Sequence, residues 1–95
     1  MNDVKQLWNE FQKTPFPSEL AGPEIYGIDP VEIDAFAAGC ISSFIDNGGL
    51  LEAEKKKILN NCMSELKRIN PTLVADSQVY FGKLYRLCDI VYSRS

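Results

Sequence analysis

The chain contains no histidine among its 95 residues. Histidine is the usual general base beside a serine or cysteine nucleophile and a common zinc ligand. The sequence also contains no phosphate-binding loop of the GxxxxGK[ST] type and no dinucleotide fingerprint. These absences disfavour most hydrolases and nucleotide-dependent enzymes. We therefore expect a protein without catalytic residues, without a cofactor and without a bound metal.

Long apolar runs are also absent. No apolar segment approaches the roughly 20 residues that a membrane-spanning helix needs. The first residues, MNDVKQLWNEF, lack the basic start and apolar block of a secretory signal. We expect a small bacterial protein of the cytoplasm that does not contact membranes.

Cysteine is scarce and widely spaced. Cys40, Cys62 and Cys88 are three in number and form no CxxC pair, which disfavours a disulfide framework. Each lies on the apolar side of its predicted helix, so we interpret them as reduced, buried thiols. A thiol or metal sensor that uses these three residues is an alternative hypothesis.

Charge is unevenly distributed along the chain. The net charge is −3, yet residues 1–46 carry eight acidic and two basic side chains, and residues 47–95 carry five acidic and eight basic ones. The overall acidity disfavours nucleic acid as the main ligand. The asymmetry can steer association with a charged partner, or it can be satisfied within the fold or in a homodimer.

The strongest helix signal lies between Asp29 and Asn47. Asp29 can cap the helix start, Pro30 suits the first helical position, and Glu32 can complete a capping box. Asn47 and Gly48 tolerate the positive φ of a helix end. The sequence therefore predicts an α-helix over residues 30–46.

This helix carries almost no charge on either side. Small residues on one side suggest close contact with a second element, so we predict a central helix that is packed on both sides. An alternative is that the small side docks a partner protein. The first side comprises Ile33, Phe36, Ala37, Cys40, Ile41 and Phe44, and the second comprises Ala35, Ala38, Gly39, Ser42 and Ser43.

Three further helices are predicted from apolar residues at helical spacing, at about 2–13, 50–69 and 76–92. Three prolines and two glycines at 14–28 exclude a long helix there, but the apolar side chains between them predict an ordered loop. The predicted fold of residues 1–95 is a single all-α domain, a small four-helix bundle-like arrangement whose first helix is short.

We predict a non-enzymatic interaction protein, such as an immunity or antitoxin-like protein or an adaptor, that binds another protein or itself. The hypothesis rests on the surplus of aromatic residues and the irregular loop. An alternative is a ligand-binding protein or enzyme with a pocket under the loop, which would use Glu24, Tyr26 and Asp29. The predicted partner-binding residues are Phe16, Leu20, Glu24, Tyr26, Tyr85 and Tyr92.

Overall fold

Four α-helices dominate the computed structural model, which describes residues 2–22 and 24–95. No strand and no membrane-spanning helix occurs in this described part. The all-α, bundle-like fold is therefore confirmed. The helices are α1 (Asn2–Gln12), α2 (Pro30–Asp46), α3 (Ala53–Ile69) and α4 (Ala75–Arg94), and short 3-10 turns lie at Ser18–Leu20 and Asn70–Thr72.

Local signals determine both ends of α2, whose predicted bounds are confirmed. The Asp29 carboxylate accepts a hydrogen bond from the Val31 amide at 2.9 Å, so it satisfies a free donor of the first turn. At the other end, the Gly49 amide donates to the Phe44 carbonyl at 2.8 Å. Gly48, at φ +65°, allows the chain to reverse into this contact.

The start of α3 differs from the prediction by three residues. Gly48 and Gly49 both have positive φ, and Glu52 is still extended, so the chain reaches helical geometry only at Ala53. In this connection between α2 and α3, Leu51 packs against the core, whereas Leu50 is exposed. Because Leu51 is half-buried, the apolar pattern of α3 continues into this connection. Periodicity alone does not distinguish a leucine in a helix from a leucine in the segment that precedes it.

The core lies between the inner faces of α2 and α3 and the buried side of α4. Phe11 of α1 and Phe16 of the loop complete it, with ring centroids 4.7 and 5.5 Å from that of Tyr80. Tyr80 also donates a hydrogen bond to the Asp34 carboxylate at 2.7 Å, which joins α4 to α2. The largest fully buried side chains include Ile41, Leu59, Leu66, Ile69, Phe81, Leu84 and Val91.

The prediction that α2 is packed on both sides is wrong. Ala35 and Gly39 are exposed, and a Cβ atom added at Gly39 would meet no atom within 4 Å. Phe36, which was assigned to the core side, is 55% exposed. The other helices and the loop are sufficient to cover only one side of α2. On its outer side Ala35 and Gly39 face solvent, whereas Ala38, Ser42 and Ser43 are half-buried.

A candidate partner-binding surface

The six predicted partner-binding residues do not form one surface. Leu20 is only 3% exposed and packs in the core, so its assignment to a partner surface is corrected. Phe16 is half-buried and stacks edge-on against Tyr80, which makes it mainly a structural anchor of the loop. Both residues are apolar anchors that hold the loop in place.

Tyr85 and Tyr92 lie along the seam between α3 and α4. Both are half-buried, and a lysine ammonium group lies over each ring. Lys67 is 5.9 Å from the centroid of Tyr85, and Lys56 is 5.1 Å from that of Tyr92. Such cation–π contacts account for these rings within the fold. Neither tyrosine shares a depression with the residues of the loop.

Tyr26 is exposed and lies in a tight turn. The amide of Ile25 donates to the carbonyl of Ile28 at 2.8 Å, and the reciprocal bond measures 3.0 Å. Tyr26 and Gly27, between them, have φ values of +52° and +75°. This pattern is that of a type I′ turn, in which both central residues require positive φ. A hydrogen-bonded turn therefore occupies residues 25–28, within the predicted ordered loop.

The conformation of Tyr26 is unfavourable for a bulky side chain. A non-glycine residue in the left-handed region costs about 1–3 kcal/mol, and asparagine is the side chain that tolerates it best. The Tyr26 side chain is nevertheless 64% exposed, so contacts with the core do not explain the choice of tyrosine. Strain of this kind, held in place by surrounding structure, is typical of functional positions.

Phe36 faces the same end of the molecule as this turn. A small depression of about 90 Å³ lies between the turn, the first turns of α2 and Glu65 of α3. Its lining includes four carboxylates and, within the described part of the chain, no lysine or arginine. The lining residues are Glu24, Gly27, Ile28, Asp29, Glu32, Ile33, Phe36 and Glu65.

We use the name Tyr26–Phe36 surface for Glu24, Glu32, Phe36 and Glu65, which line this depression, together with the exposed Tyr26, whose neighbour Gly27 lines it. It combines two exposed aromatic rings with three acidic side chains. The exposed small residues of α2 continue from it along the outer side of that helix. The region thus resembles the aromatic centre and polar rim that protein interfaces commonly have.

Of the three residues hypothesised to form a ligand pocket, Glu24 and Asp29 line only the small depression described above, and Tyr26 does not line it. The Asp29 carboxylate is engaged as the cap of α2, and the depression beside Glu24 is far smaller than the 300–1,000 Å³ typical of ligand sites. A larger groove does lie beside the loop. It is lined by Thr14–Glu19 and by α4, and none of the three hypothesised residues contributes to it.

The three thiols are buried and protonated. Burial raises the pKa of Cys62 to about 12 and also raises the pKa values of Cys40 and Cys88. The Cys40 thiol donates to the Lys55 carbonyl at 3.4 Å. Among residues 2–22 and 24–95, no group of three or more cysteines and carboxylates could hold a metal ion. These observations disfavour the thiol or metal sensor hypothesis, since thiolates are the reactive and metal-binding form.

Three members of the Tyr26–Phe36 surface are not among the predicted partner-binding residues: Glu32, Phe36 and Glu65. The sequence analysis gives Glu32 a role only in the capping box of α2. Phe36 shares the apolar stripe of α2, and Glu65 belongs to the half of the chain that is basic overall. No protein-family model, curated protein or solved structure matches this chain.

Proposed function

We propose that this protein is a non-enzymatic binding protein whose Tyr26–Phe36 surface contacts a basic partner protein. The single observation that carries the proposal is Tyr26, a tyrosine in a strained turn with an exposed ring. Folding gains little from this residue, so contact with another molecule is the better explanation for it.

The exposed rings supply the apolar part of the contact. Tyrosine is enriched among the residues whose truncation weakens protein complexes most, because a large rigid ring is buried at low entropic cost. Phe36 adds a second ring on a rigid helix, and the small residues Ala35 and Gly39 beside it leave room for close approach. These features favour a protein surface over a small ligand.

The carboxylates determine which sign of charge the partner carries. Glu24, Glu32 and Glu65 line the same depression as Phe36, so arginine and lysine side chains would complement this rim and increase the association rate. A basic partner fits the acidic first half of the chain as well. The form of this function that we favour is an inhibitor that covers the basic face of its target, as an immunity or antitoxin-like protein does. An adaptor is a second form.

A symmetric homodimer through the same surface is less favourable. Two-fold symmetry brings each patch against its own copy, so the three carboxylates of one subunit would face those of the other. Like charges placed across an interface weaken association. The surface is therefore better matched to a different protein than to itself.

Site-specific photo-crosslinking tests the proposal. Benzoylphenylalanine is introduced in place of Phe36, and, in a control protein, in place of Ser64, which is exposed on α3. After irradiation of the cells from which the sequence derives, position 36 is expected to yield one discrete adduct with a basic protein, and position 64 none.

Other outcomes of this experiment are equally informative. An adduct of twice the mass of the chain would show that the partner is a second copy of the chain, and it would contradict the proposal of a basic partner. Equal adducts from both positions, or no adduct from position 36, would contradict the proposed surface.

A further inference from the structure

A groove that is separate from the Tyr26–Phe36 surface runs between the first part of the loop and the start of α4. We call it the loop–α4 groove. Its volume is about 590 Å³, within the range of binding sites for ligands and peptide segments. It is lined by Thr14, Pro15, Phe16, Pro17, Ser18, Glu19, Asp76, Val79 and Tyr80.

The walls of the loop–α4 groove are apolar and rigid. Pro15 and Pro17 fix the backbone on either side of Phe16. The Phe16 ring meets the ring of Tyr80 edge-on, at a centroid distance of 5.5 Å. The Tyr80 hydroxyl is bonded to Asp34, which fixes the position of this lining residue. Val79 is 57% exposed, so an apolar wall is left uncovered.

Two carboxylates, those of Glu19 and Asp76, lie in the same groove. The hydroxyl of Ser77, which is fully buried, donates to the Glu19 carboxylate at 2.7 Å. This bond fixes the carboxylate at the groove and holds the pKa of Glu19 below its usual value. No lysine or arginine lines the groove within the described residues. A preorganised acid beside uncovered apolar surface favours a ligand that is both cationic and apolar.

We infer that the loop–α4 groove binds an extended peptide segment in which an arginine or lysine is flanked by apolar residues. The apolar side chains would contact Phe16 and Val79, and the cation would lie beside Glu19 and Asp76. The groove is open and much larger than one side chain, which favours a peptide over a small free cation. This inference does not depend on the Tyr26–Phe36 surface, because the two regions share no residue.

Methyl NMR with valine-labelled protein tests the inference. The probe is the peptide acetyl-Leu-Arg-Leu-amide, and the controls are acetyl-Leu-Glu-Leu-amide and arginine amide. The Val79 methyl signals are expected to shift saturably with the arginine peptide and to remain unchanged with the glutamate peptide. Arginine amide is expected to bind at least tenfold more weakly, because it lacks the apolar contacts.

Matched variants then separate the groove from the rest of the acidic surface. Asp76→Asn and Glu19→Gln are each expected to weaken binding of the arginine peptide by about tenfold or more, whereas Glu54→Gln, at an exposed position of α3 outside both proposed sites, leaves it unchanged. Absence of a Val79 shift at millimolar peptide, or equal shifts with the glutamate peptide, would overturn the inference. Equal affinity for arginine amide would overturn the assignment to a peptide. Asp76 is exposed, so its asparagine variant keeps the test valid if Glu19→Gln loosens the loop.

Discussion

Replacement of Phe44 by alanine is expected to lower the free energy of unfolding by about 3–5 kcal/mol. Phe44 is 2% exposed, on the inner side of α2, and the fold surrounds its ring with other apolar side chains. Alanine would lose the buried surface of the ring and would leave a cavity that a close-packed core fills only in part. Urea unfolding followed by circular dichroism measures the change.

The matched control is Phe36→Ala, which is the same chemical change two turns earlier on the same helix. Because Phe36 is mostly exposed, this variant is expected to lose less than about 1 kcal/mol. Similar losses at the two positions would contradict the one-sided packing of α2. A loss below 1 kcal/mol at Phe44 would contradict the position of the core.

The second large effect is expected at alkaline pH, where the free energy of unfolding falls as pH rises above about 9. Burial raises the pKa values of Cys40, Cys62, Cys88 and Tyr80, so the folded chain retains protons that the unfolded chain releases. Their contribution to stability is complete below the unfolded thiol pKa of about 8.5, and it is lost progressively as pH rises toward the folded values.

The size of this loss follows from proton linkage. Each thiol that is protonated only in the folded state contributes a slope approaching about 1.4 kcal/mol per pH unit. For Cys62 and Cys88 together, the change between pH 9 and pH 10.5 is about 4 kcal/mol, a large part of the 5–15 kcal/mol that is typical of a domain. Urea unfolding under reducing conditions at both pH values measures it.

A variant that lacks two of the thiols provides the control. The double variant Cys62→Ala/Cys88→Ala is expected to be less stable at pH 7, because buried volume is lost, but to have a clearly shallower decline above pH 9. Parallel pH profiles for the variant and the natural protein would show that these thiols are not the cause.

The sequence predicts those features of the fold that depend on neighbouring residues. Asp29, Pro30 and the glycines after Asn47 determine where α2 begins and ends, and the observed bounds agree with the predicted ones. The start of α3 depends instead on the path between two packed helices. The apolar pattern places Leu51 rather than Leu50 on the inner side, which agrees with the structure, but Leu51 contacts the core from the connection that precedes the helix.

The same distinction explains why the candidate surface could be predicted only in part. Phe36 and Phe44 both belong to the apolar stripe of α2, and only the positions of α3 and α4 decide which of them is covered. Glu65 joins the acidic surface because α3 runs beside α2, which a count of charges along the chain does not reveal. Glu24 and Tyr26 were identified because an irregular loop with apolar anchors commonly presents side chains for contact.

Tyr26 is the residue on which the functional account depends. Asparagine or aspartate followed by glycine is the usual sequence of a type I′ turn, and this turn contains Tyr26 followed by Gly27. Tyrosine is disfavoured in this backbone conformation and gains no packing in return. Such a residue is expected at functional positions. The fold requires only a residue that tolerates positive φ at position 26, which asparagine would satisfy, whereas binding requires the aromatic ring.

The measurement that tests this claim most directly is the crosslinking yield at position 36 in the Tyr26→Asn variant, at equal concentrations of folded protein. We expect the adduct with the partner to fall at least tenfold, as for a central aromatic contact, while the urea midpoint stays the same or rises. An undiminished yield, or a yield that falls only because the variant unfolds, would contradict the account.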